Sequence, residues 1–313
     1  MLNARRAVID VGTNSVKLLV AEVQPHTVNP VTEKSWQTRL GRGFYETHRL
    51  QAEAIEKTAQ AVAEFAALAR QMEAVSIRVI ATSAARDAVN RQELTAAIQA
   101  ATGLRVEVIS GEQEAEWAFR GVSTDPNLAD QLLLILEVGG GSTQLILGQH
   151  DHHSFRQSFP IGAVRLLEKL RPGDPPSLAD LAGCRRWLTD FFNQQIAPAL
   201  ESSLGESLRR DARLVGAGGT STVLACMALE LAHFDRQRVD GTRLSRQQVL
   251  EFMVHLWSRP LAERKKIIGL PSNRADIILM GVAIYEAVLA HFDFPELYIS
   301  TRGVRFGAIL DAA

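Results

Sequence analysis

Two stretches of the chain repeat one order of apolar and polar positions. Residues 7–20 read AVIDVGTNSVKLLV and residues 134–147 read LILEVGGGSTQLIL, 127 positions further on and without a gap. In each, an apolar run of the kind a sheet buries ends on an acid, a Gly-rich bend with hydroxyls follows, and a second apolar run returns. The pattern predicts two hairpins in which Asp10 matches Glu137, Gly12 matches Gly139 and Ser15 matches Ser142. Glycine lets such a bend turn with positive φ and approach an anion closely, while successive N–H groups and a hydroxyl point into it. The acid that ends the first strand is placed to hold a cation or a water beside a phosphate. A single Gly-rich hairpin needs no more than a tight-turn explanation. Its repetition with acid, Gly and Ser in register points to function, namely a cleft with a phosphate loop on each wall.

Beyond the first hairpin the pattern predicts a third strand around 35–40, a helix over 51–72 with Ala, Ile and Val at helical spacing, a strand over 76–82, a helix near 90–101, a strand over 104–110 and a helix from Glu112 onward. The second half repeats that order, with strands near 132–138, 142–148 and 154–160, then helices, a strand over 213–218 and more helices. The expectation is a duplicated α/β architecture. In GVSTDPNLADQ (121–131), Asp125-Pro126-Asn127 does not continue a helix. The boundary is therefore set near 125, with an N-terminal domain over 1–124 carrying the first loop and a C-terminal domain over 125–313 carrying the second. Ligands of such sheets sit beyond the carboxyl ends of strands, in the crevice where two domains meet.

Composition narrows the class. The 313 residues are 46% apolar and 22% charged, ordinary globular values for two domains. A net charge of −1 excludes a broadly basic protein that captures nucleic acid by bulk attraction. Cys184 and Cys226 form no CxxC unit and read as small core residues. The N-terminus runs almost directly into the first strand, leaving no room for a signal peptide, and the longest uncharged stretches, such as 277–285, fall short of the roughly 18 apolar residues of a membrane span. A soluble cytoplasmic protein without membrane association is expected.

Three further segments carry candidate chemistry. VIATSAARDAVN (79–90) sets Thr82, Ser83 and Arg86 at a strand-to-helix turn, where they serve either as a helix cap or as an anion site. VISGEQEAEWAFRGV (108–122) opens a helix bearing Glu112, Glu114 and Glu116. Acids there complement the helix dipole, and one of them at a sheet's carboxyl end is also placed to act as a general base. LVGAGGTSTVLACM (214–227) is a strand, a Gly-rich bend and a helix: Gly216, Gly218 and Gly219 either wrap a phosphate or sugar or permit close packing, and Thr220 or Ser221 caps the helix. His150, His152 and His153 read as a hairpin tip, and Arg264-Lys265-Lys266 as a solvated helix face.

Together these segments resemble the exopolyphosphatase and guanosine pentaphosphate phosphohydrolase (Ppx/GppA) family of the actin-like, sugar-kinase and Hsp70 ATPase superfamily, whose domains are ribonuclease H-like. The resemblance covers nearly the whole chain through DVGTNSVKLLV, ATSAARDAVN, ISGEQEAEWAFRGV, EVGGGSTQL and GAGGTSTVLA, with FPIGAVRL and RADIILMGVAIYEAVL as further family-like segments, and it matches the short, two-domain form. It implies release of a terminal phosphate from inorganic polyphosphate or guanosine pentaphosphate with Mg²⁺, Mn²⁺ being the alternative ion. Carried over by residue, Glu114 matches the general base. Gly12, Thr13, Asn14 and Ser15 match the first phosphate loop, and Gly139, Gly140, Gly141, Ser142 and Thr143 the second. Arg86 and Arg305 match phosphate contacts. The chemistry of the residues themselves adds Gly216, Gly218, Gly219 and Thr220 as a further nucleotide or phosphate loop, and Asp10 and Glu137 as the candidate metal site.

Three positions depart from the family pattern: Glu137 stands where an Asp is usual, Gln144 where a Glu is usual, and Phe306 alters the last motif, here GVRFG. Gln144 accepts no proton and makes no charge pair with a metal. If the acid missing there were the base, the loss would be about 10²- to 10⁴-fold. A hydrolase is the expectation, with a weakened polyphosphate- or alarmone-binding relative and a kinase of the same superfamily as rivals. The apolar segment 272–291 suits either core or a homodimer face.

Overall fold

β1 (Arg5–Val11) runs antiparallel to β2 (Val16–Gln24), which pairs antiparallel with β3 (Thr27–Trp36); on its other edge β1 is parallel to β4 (Ser76–Ala81), and β4 to β5 (Val106–Val108). The resulting order is β3-β2-β1-β4-β5. The computed structural model describes residues 4–24, 27–201, 203 and 211–311. A second sheet repeats the plan. β6 (Leu133–Val138), β7 (Thr143–Gln149) and β8 (His152–Phe159) form the antiparallel meander, β9 (Arg213–Ala217) lies parallel to β6, and β11 (Glu296–Ile299) lies parallel to β9. β10 (Arg243–Ser245) adds an antiparallel edge strand, giving β10-β11-β9-β6-β7-β8. This is the duplicated α/β architecture that the repeated hairpins imply.

Each sheet has its own core. In the first unit, Val8, Ile9, Val16, Leu18 and Val20 are fully or almost fully buried, and the helix Ala52–Gln71 covers the sheet with Ile55, Val62, Phe65 and Ala66. In the second, Leu134, Leu136, Leu145 and Leu147 pack with the helix Ile278–His291, which is buried almost along its length and so belongs to the core. Cys184 and Cys226 are free and buried in the same cluster, and burial pushes the Cys184 thiol up to about 12. Among the described residues no helix is long and apolar enough to cross a membrane.

Two boundaries differ from the sequence reading. The third strand spans Thr27–Trp36 rather than 35–40. Its polar sequence, interrupted by Pro30, shows no apolar alternation; the strand exists because it pairs with β2 as an edge, where a proline is tolerated. The C-terminal domain also does not run to the end of the chain. Contacts group the chain up to Pro126 with the residues from Arg302 onward, and 127–301 form the second unit. The helix Val304–Leu310 packs on the helix Gly111–Ser123 of the first unit so closely that a Cβ on Gly307 would lie 2.0 Å from Trp117 O, and one on Gly121 2.1 Å from Gly303 O.

Candidate active site

In the first unit, β1 delivers Asp10 to the start of the Gly-rich turn, opposite Lys17 on β2. Gly12 N–H closes that turn onto Ser15 O at 3.0 Å. The carbonyls of the turn are held from behind: Arg39 N–H donates to Asn14 O at 3.0 Å and Gly41 N–H to Thr13 O at 2.7 Å. Gly41 is required there, since a Cβ would lie 2.3 Å from Thr13 Cγ2. The N–H groups of Thr13 and Asn14 have no acceptor among the described residues, nor does the Asn14 side-chain amide nitrogen. Turn glycine Gly12 is thus spent on geometry, and the donors left for an anion are Thr13 and Asn14.

Among the described residues, Asp10 Oδ1 is buried without a hydrogen-bond partner. Burial holds its carboxyl above the usual carboxylate range, against the opposing pull of Lys17 and then Arg305. A buried carboxylate oxygen without a hydrogen-bond donor suits a cation ligand. Among the described residues no group of three or more His, Cys, Asp or Glu is arranged to hold a metal. Mg²⁺ needs no such group, because it binds through one or two carboxylates, waters and substrate phosphates, so Asp10 fits it.

Glu114 sits in the first turn of the helix Gly111–Ser123, whose N-cap Ser110 accepts from Gln113 N–H at 3.1 Å. Of the three acids that open this helix, Glu112 is exposed and Glu116, just beyond the first turn, is half-buried; Glu114 alone is buried, at 7% exposure. Arg86, at the end of the short helix Ser83–Asp87, donates from Nη1 to Glu114 Oε2 at 3.0 Å and to Ile109 O at 3.2 Å. Thr82 makes no side-chain cap to that helix. The structure therefore joins two residues that the sequence named separately. Arg305 is committed differently: its Nη1 donates to Leu18 O at 2.8 Å and its Nη2 to Glu33 Oε2 at 3.1 Å, tying the last helix to β2 and β3.

The second unit rebuilds the same loop. Gly139 N–H closes onto Ser142 O at 2.9 Å, and Glu137 faces Gln144 where Asp10 faces Lys17. The carbonyls are again pinned, here by the start of the helix Ala163–Leu170. Ala163 N–H donates to Gly139 O, Val164 and Arg165 N–H to Gly140 O, and Arg165 Nε to Gly141 O, all at 2.8–3.0 Å. Those bonds satisfy N–H groups that a helix start leaves without intrahelical partners. Gly162 permits the approach, since a Cβ would meet Gly140 at 2.6 Å. Gly140 and Gly141 N–H have no acceptor among the described residues. Thr143 Oγ1 donates to Ile161 O, so this hydroxyl binds the protein and leaves Ser142 as the loop's candidate side-chain donor.

The Gly-rich turn after β9 divides its roles. Gly216 is a packing glycine: a Cβ would lie 3.1 Å from Leu297, Ser221 and Tyr285. Gly218 takes φ +87° and lies against the Glu137 side chain. Across Gly219 lies the Arg274 guanidinium, its Nη1 2.2 Å from the place of a Cβ. Thr220 is buried against Gly281 and does not cap the helix Gly218–Ala228; Ser221 and Thr222 instead donate back to Gly218 O. Tyr285 completes the support, its hydroxyl at 3.0 Å from both Leu136 O and Ala217 O, at the ends of β6 and β9.

Arg274, Arg165 and Tyr285 were not singled out from the sequence, although they lie in the family-like segments RADIILMGV, FPIGAVRL and AIYEAVL. Two other readings are settled. His150 takes positive φ at the β7–β8 turn and pairs with Asp130, as a hairpin tip does, whereas His152 and His153 already belong to β8, paired with Gln149 and Gly148. Arg264 is not on a solvated face but 4% exposed, with Asp174 Oδ1 3.6 Å from Nη2, because the helix Leu261–Arg264 turns it inward.

A model of the Ppx/GppA phosphatase family matches residues 19–313. Exopolyphosphatase 2 of Mycobacterium tuberculosis is 34% identical over 326 residues, covering 100% of this chain and 100% of that protein. Among solved structures, an exopolyphosphatase-like protein matches with a TM-score of 0.89 at 28% identity, over 98% of this chain and 97% of its own. The Aquifex aeolicus Ppx/GppA enzyme matches with a TM-score of 0.79 at 30% identity, over 98% of this chain and 99% of its own.

Proposed function

Because the chain belongs to the Ppx/GppA phosphatase family, we propose that it is an exopolyphosphatase-type hydrolase that releases the terminal phosphate of inorganic polyphosphate in the cytoplasm. The observation that carries this reading is the doubled loop. In each copy the carbonyls are tied to neighbouring residues, and among the described residues N–H donors stand without protein acceptors at Thr13 and Asn14 and at Gly140 and Gly141. Such donors suit the oxygens of a phosphoryl group, whose transfer needs positioning and charge stabilisation more than covalent help.

In this reading Glu114 takes a proton from the attacking water as its oxygen bonds the terminal phosphorus, and the bridging P–O bond breaks. The products are orthophosphate and a chain shorter by one phosphate. Arg86 holds Glu114 at Oε2, fixing the carboxylate in place for that proton transfer. Asp10 and Glu137 are the residues that would hold Mg²⁺, which neutralises phosphate charge when bound. Thr13, Asn14, Gly140, Gly141 and Ser142 hold the phosphate oxygens.

Phosphate release is to be measured from long-chain polyphosphate and, separately, from guanosine pentaphosphate, with Mg²⁺ or Mn²⁺ and Glu114→Gln as control. Release from polyphosphate that disappears in the variant supports the reading. Release from guanosine pentaphosphate alone would move the substrate to the alarmone. Binding of polyphosphate without release from either would make the protein a binding relative, and ATP-dependent transfer to an acceptor would make it a kinase.

A further inference from the structure

Gln144 occupies β7 opposite Glu137 and is 1% exposed. Its amide nitrogen donates to Ser142 Oγ at 3.0 Å and to Ser158 Oγ at 3.1 Å. A serine hydroxyl has one proton to give and lone pairs to accept with, whereas the Nε2 of a glutamine side chain only donates. The Ser142 oxygen is thus already an acceptor toward Gln144, and its proton is directed elsewhere. Among the described residues that proton has no acceptor, and Ser142 is 4% exposed. The neighbouring hydroxyl differs, because Thr143 gives its proton to Ile161 O. One of the two loop hydroxyls is therefore spent on the fold and the other is held as an unused, buried donor.

We infer that Gln144 is a positioning residue that fixes the Ser142 hydroxyl as a committed donor to a phosphate oxygen of the substrate. The inference rests on the phosphate reading of the second loop. A carboxylate at position 144 would do the reverse: it only accepts, so it would draw the Ser142 proton to itself and turn that oxygen's lone pairs toward the ligand. Gln144 thereby gives this loop a neutral, metal-independent grip.

The test is a double-mutant cycle read by calorimetric titration of inorganic tripolyphosphate in chelator, paired with steady-state kinetics on polyphosphate. Ser142→Ala is expected to weaken tripolyphosphate about tenfold, the scale of a hydrogen bond to a charged group. Gln144→Met, neutral and of similar size, is expected to weaken it severalfold and to raise KM more than it lowers kcat. In the Ser142→Ala background the same Met substitution should change the dissociation constant less than about twofold, because its effect passes through the hydroxyl. Gln144→Glu should cost at least as much as Ser142→Ala. Since it buries a charge, melting curves accompany it and the Met variant carries the cycle. Equal effects of Gln144→Met in both backgrounds, or an unchanged constant in Ser142→Ala, would overturn the inference while leaving the phosphatase reading in place. A wild-type protein that binds no tripolyphosphate, with or without Mg²⁺, would remove both.

Discussion

Arg86 Nη1 donates to Glu114 Oε2 at 3.0 Å, joining the turn after β4 to the first turn of the helix Gly111–Ser123. The pair couples the proposed base to the fold. Glu114→Gln is expected to reduce phosphate release by about 10²- to 10⁴-fold while polyphosphate binding persists. Arg86→Ala strands a buried carboxylate. It is expected to cost roughly 2 to 3 kcal/mol in urea denaturation, at or below the low end for buried pairs because Arg86 keeps some solvent contact. Adding Glu114→Gln to Arg86→Ala should recover much of that loss; a further loss instead would show that Arg86 stabilises through other contacts.

Asp10 sets a pH dependence. Burial raises its carboxyl above the ordinary 3.8 against Lys17 and Arg305. The folded protein therefore keeps this proton after the unfolded chain has released it. The associated stability is whole below the unfolded value and is lost as pH rises through the folded one. Asp10→Asn is expected to raise the metal-free melting temperature at neutral pH by a few degrees and to flatten its decline from about pH 4 upward. Mg²⁺ should raise the melting temperature of the wild type and leave that of the variant nearly unchanged.

Tyr285 predicts a stability loss without a change of charge. Its buried hydroxyl meets Leu136 O and Ala217 O, each at 3.0 Å, and burial raises its pKa further above the ordinary tyrosine value. Tyr285→Phe leaves those carbonyls without this donor and is expected to cost about 1 to 3 kcal/mol. Because Glu137 and Gly218 follow these two strand positions, kcat should fall as well. A variant as stable as wild type in guanidinium titration would show that the carbonyls are satisfied otherwise.

The return of the chain end makes Gly307 sensitive. A Cβ there would lie 2.0 Å from Trp117 O, one helical turn beyond Glu114. Gly307→Ala is expected to destabilise by about 1 to 3 kcal/mol or more through overpacking, and to lower kcat by shifting the helix that carries Glu114. Unchanged denaturation and kinetics would mean that the helix Val304–Leu310 does not buttress the site.

The sequence by itself determined the two hairpins, their acids and glycines, and the approximate places of β1, β2, β4, β6, β7, β8 and β9. These follow from period-two and period-3.6 patterning and from turn residues, which act over a few neighbours and are therefore legible along the chain. Gly12 and Gly139 illustrate this, as each closes the same short turn onto the serine three residues later. Only the tertiary structure decided that the residues from Arg302 onward rejoin the first unit, that Arg305 is bound to Leu18 O and Glu33, that Arg264 turns inward, and that Arg274 lies across Gly219. It alone showed that loop carbonyls are consumed by Arg39 and Gly41 in one copy and by the start of the helix Ala163–Leu170 in the other. Such contacts join residues far apart in the chain, and close packing rather than local propensity selects them.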